Sequence, residues 1–586
     1  MLRSYRLRLG AAVAMTAATS VLANPSPPPA QTATANVAKP QYAVERCCSL
    51  CPRAADPAAY SGSQYMSDFR VLVDGRDGWL FRTGMDLTTT FDITDDSLHE
   101  LHRLSEALHK RGIELVLVYQ PPRGLMDPDK LKPEQRRSYD FETARRNYSA
   151  TLDKLRRGGD VVVAPLDKLV DEKKGYEYFF RRDHHWSPAG AEHSAQVVAE
   201  TVQQLPAFKS TPRKQFTTHV AGVLAKPGTL QKTAAQLCGG GYSMQYVTMY
   251  ATEQAGGGDG DNGGLLGDAA QPDVALVGTS NSDAKGGYNF GGYLEQYLGA
   301  DVVNVAISGG SFEGSLLHYL SSKEFQQHPP KIIVWEMPYQ NYPDSEKNPF
   351  KIFRQAVPLV NDGCRGKPSI LSNTITLHPG SNELLFNGGG RILPLVGRDQ
   401  QLDFQFSDAG TKDMHAELWY FNGLKESLKM HFNQYVDNGG RFVAELRTDR
   451  PDYAAATLMG ATLEVDPVYV VTAAVTPATS SSVKPTGGVS ISDGKTSCSF
   501  TLPATSCNFA GANVSSSALT ATYSGDATYA NATSSSSDAE GPGAPVKVAI
   551  TDVKPLAVDA NAAKPVTLAA QLCAREDAVK QTAASR

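Results

Sequence analysis

The segment Arg182-Asp183-His184-His185-Trp186-Ser187-Pro188 sets a carboxylate, two imidazoles and an indole immediately ahead of a helix start. Asp183 and His185 are two residues apart, and on an extended chain such residues face the same side. A carboxylate that orients an imidazole is half of the apparatus that activates a serine hydroxyl. The same residues also suit plain capping or hydrogen bonding at a helix start. A zinc site built on His184, His185 and His193 would need a recognised ligand spacing, and none is present. No metal and no cofactor is therefore expected.

The missing hydroxyl has to come from another part of the chain. Ser280 stands on the turn Gly278-Thr279-Ser280 directly after the apolar run Val274-Ala275-Leu276-Val277, so it should project at the carboxyl edge of a sheet. His185 is its expected base and Asp183 the group that fixes the tautomer of His185. The Ser280 N–H, with one from Gly309 or Gly310, could hold an oxyanion. Asn281 is expected as an active-site neighbour. Ser282 and Ser311 are rival nucleophiles, and any of these serines and glycines could equally serve an ordinary turn.

These residues need a scaffold that brings them together. Ser187 reads as an N-cap with Pro188 as the first helical residue, and Val197, Val198, Thr201, Val202 and Leu205 follow at helical spacing. Strands are expected at Glu114 to Tyr119, Val161 to Leu166, Val274 to Val277, Val302 to Ile307 and Lys331 to Met337. Helices are expected at Ser97 to Arg111, Phe141 to Arg157 and Ser315 to Phe325, and a small hairpin at Arg70 to Val73 with Gly78 to Phe81. Short apolar strands alternating with helices predict an α/β domain with a parallel sheet covered on both faces. The region 207–270 interrupts that pattern, with possible strands at Thr217 to Val223 and Tyr246 to Ala251. Its loop Gly256 to Gly264 lacks the Gly-Lys-Ser/Thr of a phosphate cradle and a third oxygen ligand for calcium.

The 586 residues carry a net charge of −5, which gives no sign of nucleic-acid binding. Residues 1–23 have the pattern of an export signal: Arg3, Arg6 and Arg8, then an apolar core ending at Val21-Leu22-Ala23. The apolar run is too short to favour a membrane anchor. Eight cysteines agree with an oxidising compartment. Cys498 and Cys507 are expected to close a short loop, and the other pairings are not legible from spacing. From about residue 368 the pattern alternates with period two, as in Leu402 to Phe406, Ala416 to Phe421 and Arg441 to Leu446, which predicts a β-sandwich. Residues 468–540 turn Ser-, Thr-, Ala- and Gly-rich and resemble a bacterial Ig-like segment.

Gly278-Thr279-Ser280 resembles the nucleophile block of the SGNH/GDSL hydrolases, with Thr in place of Asp. Asp183-His184-His185-Trp186 resembles the Asp-x-His-Trp signature of their alginate O-acetyltransferase branch, in which the Asp/His block precedes the serine block as it does here. The likeness runs from about Cys47 to Val465. It takes in Pro122-Arg123-Gly124-Leu125-Met126, the stretch from Asn304 to Leu320, Trp335-Glu336 and Glu417-Leu418-Trp419-Tyr420-Phe421-Asn422-Gly423.

The resemblance implies an SGNH-like domain (24–343) and a β-sandwich carbohydrate-binding module (344–467); the Ig-like segment (468–540) and C-terminal strands with a polar tail (541–586) follow from composition. It implies Ser280, His185 and Asp183 as a triad and Tyr339 as an active-site neighbour. It also implies a bond from an N-terminal cysteine to Cys238, and one from Cys364 to a cysteine near the end of the module. No cysteine lies between 365 and 497, so Cys573 becomes the candidate, with 546–573 returning to the module after an inserted Ig-like segment. The expected activity is acetyl transfer to alginate in the periplasm, served by a membrane partner that delivers acetyl groups and by other export proteins. Arg123, Lys412 and Lys425 are candidates to meet the polymer's carboxylates. Trp419 could stack on sugar rings or sit in the sandwich core. A carbohydrate esterase and a non-catalytic polymer scaffold are the competing expectations.

Overall fold

The structure is a computed structural model. It describes residues 50–575 except 62–63, 92, 158–160, 173–174, 240–243, 256–270, 340–351, 398–399, 448–449, 467, 495, 512–513, 527, 535–545 and 556–565. The expected export signal and leader, Cys47, Cys48, the glycine-rich loop at 256–264 and the boundary at 343/344 lie outside the described residues. Two compact units are present. One contains 50–363 together with 432–438, and the other 364–431 together with 439–575.

The first unit is an α/β domain. Five parallel strands lie in the order Val162–Val163, Glu114–Tyr119, Ile332–Met337, Val274–Val277, Val302–Asn304. Every residue of Val274–Val277 and Ile332–Met337 is buried, which is why these strands read as unbroken apolar runs. Helices Asp95–Lys110, Phe141–Arg156 and Pro188–Gln203 form where the apolar spacing places them. Ser187 caps the last by accepting from the Gly190 N–H at 3.1 Å.

Several bounds differ from expectation. The strand near 161 is only Val162–Val163, because Leu166–Leu169 turn into a 3-10 helix after Pro165. The strand at 302 stops at Asn304, whose side chain accepts from the Ala306 N–H. The helix expected from Ser315 begins at Ser311 and is followed by the short helix Lys323–Gln327. Strands Phe216–Lys226 and Gln245–Gln254 pair antiparallel. Between them stands a helix with no sequence forecast, Thr229–Cys238. Cys238 is bonded to Cys51, and Leu230, Ala234 and Leu237 pack with Tyr60, Phe69, Leu72 and Leu80.

The second unit holds two four-stranded antiparallel sheets. One is ordered Ser369–Thr376, Thr567–Ala574, Gln400–Phe406, Arg441–Glu445. The other is ordered Gly380–Phe386, Leu458–Val465, Asp413–Tyr420, Lys425–His431. The 468–540 segment forms two smaller sheets around Val471, Val489, Ile491, Phe509 and Tyr523. The C-terminal region is divided between these bodies. Val546–Pro555 pairs with Val468–Pro477 in the Ig-like part, whereas Thr567–Ala574 inserts between Ser369–Thr376 and Gln400–Phe406. Only the second piece returns to the module, and the expected polar tail at 576–586 lies outside the described residues. Disulfides join Cys364 to Cys573 and Cys498 to Cys507.

The Cys364–Cys573 bond closes a loop of 209 residues and the Cys498–Cys507 bond a loop of 9. On chain entropy alone the first is worth about 5 kcal/mol and the second about 2.5 kcal/mol. C364S/C573S is therefore expected to lower the stability of the sandwich about twice as much as C498S/C507S, measured by urea unfolding of the full chain.

Candidate active site

The Asp183 segment is a tight loop closed on itself. Phe179 and Trp186 form an antiparallel bridge, and the Ser187 N–H donates to the Tyr178 carbonyl at 2.8 Å. Beneath it lies Arg123, fully buried. Its guanidinium donates to the carbonyls of Phe180 and Asp183 at 2.7 Å, Leu80 at 2.9 Å and Arg181 at 3.0 Å. Asp86 supplies the countercharge at 3.4 Å. A second side chain ties the loop down from above: the Trp186 indole N–H donates to the Asn281 carbonyl at 2.9 Å.

Asp183 is buried and its two oxygens have separate tasks. Oδ1 accepts from the His185 N–H at 2.9 Å and faces His185 Nδ1 in a close hydrogen bond. Oδ2 accepts from the Thr229 N–H at 2.8 Å, at the start of helix Thr229–Cys238, where the helix dipole favours negative charge. Gly228 permits this approach, because a Cβ there would lie 1.8 Å from the Arg182 carbonyl oxygen. Burial alone would raise the Asp183 carboxyl, but His185, His184 and Lys226 hold it well below the usual carboxylate range. Burial, with His185 adding to it, pushes the His184 imidazole well below its ordinary value.

On the far side of the imidazole, His185 Nε2 lies 2.8 Å from Ser280 Oγ. The other serines on offer are committed elsewhere: Ser282 Oγ donates to Glu336 at 3.1 Å, and Ser311 Oγ donates to Glu313. Among the described residues the Ser280 N–H has no protein acceptor, which leaves it available to a developing oxyanion. The Gly310 N–H does not share that freedom, since it donates to the Ile307 carbonyl at 3.0 Å. Gly309 is exposed at φ 77° and its carbonyl accepts from Asn433 at 2.8 Å. This geometry suits a nucleophile, a base and an orienting acid.

The turn carrying Ser280 rests on a carboxyl group that sequence reasoning passed over. Glu336, fully buried at the end of Ile332–Met337, accepts from the Thr279 N–H at 2.7 Å and the Thr279 hydroxyl at 2.9 Å. It also accepts from the Gln120 amide at 2.8 Å. Gly278 leaves it room, as a Cβ would come within 2.7 Å of Glu336 Oε2. Burial, opposed by these donors, raises the Glu336 carboxyl to about 7. An acidic residue beside Trp335 on a buried strand was the available signal.

Other candidates fall differently. Arg123 was expected to meet polymer carboxylates, but it is sealed from solvent and engaged with carbonyls, so it positions the loop. The Tyr339 hydroxyl is buried, donates to Asp86 and accepts from Arg82 at 2.7 Å. Asn281 is buried and accepts from the Trp186 N–H at 3.4 Å, so it links the two loops. Trp419, weighed as a core residue, is 36 % exposed, with the Lys425 ammonium 4.6 Å from the ring centre. Lys412 is half-buried at the entry to the same strand. Asp183, His184 and His185 bring potential metal-ligand atoms within 4.8 Å of one another. Those atoms already have protein partners in Thr229 and Ser280, and His193 stacks on Tyr176 instead.

Fold and site together define an SGNH hydrolase-like domain followed by a β-rich carbohydrate-binding module. Residues 72–339 match the family described as the SGNH hydrolase-like domain of acetyltransferase AlgX, and 363–484 match a C-terminal carbohydrate-binding module. The alginate biosynthesis protein AlgX of Pseudomonas syringae pv. tomato is 43 % identical over 421 residues, covering 72 % of this chain and 85 % of that one. The solved structure of Pseudomonas aeruginosa AlgX aligns with a TM-score of 0.64 and 41 % identity, over 71 % of this chain and 95 % of that one. A probable alginate O-acetylase, AlgJ of Pseudomonas aeruginosa, is 30 % identical over 288 residues, covering 46 % of this chain and 70 % of that one. The chain belongs to the AlgX family. The three disulfides among the described residues fit a secreted or periplasmic protein. No helix among the described residues is long and apolar enough to cross a membrane.

Glu336 keeps its proton in the folded chain up to about pH 7, whereas an unfolded glutamate loses it near 4.5. Over that interval the folded state binds more protons, so stability falls as pH rises and is level above it. Glu336→Gln is expected to remove this slope from Tm against pH. It should also slow labelling of Ser280 by a fluorophosphonate about 10²-fold, because a displaced nucleophile costs that much.

Proposed function

We propose that this chain is a periplasmic O-acetyltransferase that acetylates mannuronate hydroxyls of alginate. The observation that carries the reading is the 2.8 Å contact between Ser280 Oγ and His185 Nε2, with Asp183 behind the ring. His185 takes the Ser280 proton while Oγ bonds to the acetyl carbon of a donor, and the proton passes to the departing group. The acetyl-serine is then attacked by a sugar hydroxyl, whose proton goes to His185 and from there to Ser280 as the Oγ–acetyl bond breaks. The Ser280 N–H stabilises the oxyanion in both halves. Asp183 holds His185 in the tautomer that accepts at Nε2.

Acetyl-CoA is a cytoplasmic metabolite, so a membrane partner delivers the acetyl group, and other export proteins present the polymer. The family of the chain and the names of its relatives support the choice of alginate. In the module, Trp419 offers an exposed ring face with Lys425 over it and Lys412 on the same strand's approach, a combination suited to an anionic sugar.

The test uses the purified full chain, polymannuronate oligomers and a small acetyl ester. Wild type is expected to yield acetylated polymer, and Ser280→Ala to lose about 10³-fold or more in transfer. Free acetate as the sole product would identify an esterase, and normal transfer by Ser280→Ala would dismiss the mechanism. Trp419→Ala is expected to weaken oligomer binding about tenfold by calorimetry without altering the labelling of Ser280.

A further inference from the structure

Lys226, the last residue of Phe216–Lys226, has no place in the triad chemistry, yet it stands beside it. Its ammonium is 4.0 Å from Asp183 Oδ1 and hydrogen-bonds the Tyr288 hydroxyl. It lies 4.8 Å from the centre of the Tyr288 ring, which also packs on the His185 ring at 5.2 Å and the Phe180 ring at 5.6 Å. Phe180 forms a further wall at 5.8 Å. The side chain is 19 % exposed, so one end of this cluster opens to solvent.

This placement sets a cation at the edge of the triad, beside the carboxylate on which His185 relies. Asp183 offsets that charge, but its oxygens are already shared between His185 and the Thr229 N–H. The other ionisable groups around the cluster are His184, Arg82, Lys232, Tyr288 and Asp283. Asp283 is negative, but its oxygens accept from the Lys285 and Ser308 N–H groups. Burial lowers the Lys226 ammonium, and Asp183 opposes that shift. An anion arriving with the acceptor would give the ammonium a closer countercharge than Asp183 at 4.0 Å.

We propose that Lys226 is an anion subsite that seats the carboxylate of the acceptor uronate, so that acetyl-serine passes to a uronate hydroxyl in preference to water or a neutral glycan. The inference rests on the acyl-transfer reading above and adds the determinant of acceptor choice. In the step it governs, the acceptor oxygen bonds to the acetyl carbon, its proton moves to His185, and the Ser280 Oγ–carbon bond breaks and takes that proton. The Lys226–carboxylate pair changes no bond. It holds the ring beside the triad.

The experiment compares two acceptors of equal length, mannuronate oligomers and the same oligomers with their carboxylates reduced to alcohols, with a small acetyl ester as donor. The readout is the ratio of kcat/KM for the two acceptors, in which any damage to the shared triad cancels. Wild type should favour the uronate. Lys226→Met and Lys226→Gln should each cut that ratio roughly tenfold or more, as expected for loss of a charge-assisted contact, while Lys226→Arg should keep it. An unchanged ratio in both neutral variants, or an equal fall in Lys226→Arg, overturns the subsite. A wild-type chain that acetylates neither oligomer and forms no acetyl-serine overturns the underlying transferase reading instead, and is told apart by mass spectrometry of Ser280.

Discussion

The site depends on one buried guanidinium. Arg123 is sealed from water, and a charge in that position is tolerated only when it is paired and hydrogen-bonded. Its two terminal nitrogens donate to four carbonyls from two stretches of chain, Leu80 and the loop from Phe180 to Asp183, while Nε makes no hydrogen bond among the described residues and faces the Asp86 carboxylate at 3.4 Å. Asp86 is itself shared with Arg82 and Tyr339. The loop that presents Asp183 and His185 therefore has little freedom, because moving it would strand a buried positive charge. Arg123, a sequence candidate for the polymer's carboxylates, is this internal support, and the Tyr339 hydroxyl joins it through Asp86.

The second half of the site is set by strand order. Val274–Val277 and Glu114–Tyr119 flank Ile332–Met337, so the residues at their carboxyl ends meet. Thr279, Glu336 and Gln120 thereby become neighbours although far apart in the chain. Glu336 gathers the donors of the nucleophile turn, and the Trp186 indole bonded to the Asn281 carbonyl links that turn to the histidine loop. The 2.8 Å contact between His185 and Ser280 is the sum of these two constraints. It needs no strained residue at Ser280 itself.

The C-terminal unit shows how a domain can be interrupted without losing its closing strand. The Ig-like part enters after Leu458–Val465, and the chain returns as Thr567–Ala574 between two strands of the module. The bond from Cys364 to Cys573 fastens that returning strand. The insertion is tolerated because lengthening a loop adds only a slowly growing entropy cost, and because its own core is built around Val471, Ile491 and Phe509.

Much of this was legible from the chain alone, and the legible part has one character. The Ser187 cap, the Pro188 helix start, the apolar runs at 114, 274 and 332, and the alternating strands at 402, 416 and 441 all follow from neighbours a few residues apart. Such neighbours obey fixed periods, so the parallel sheet and the sandwich were foreseeable, as were Asp183 and His185 facing one way. What the tertiary structure alone decided depends on partners separated by tens to hundreds of residues. These include Arg123 facing inward, Glu336 beneath Thr279, Lys226 beside Asp183, the exposed ring of Trp419, and the division of 546–574 between two bodies. No local period encodes which distant carbonyl fills a buried donor. That choice is made only when the sheet order and the long crossings have brought the groups within reach.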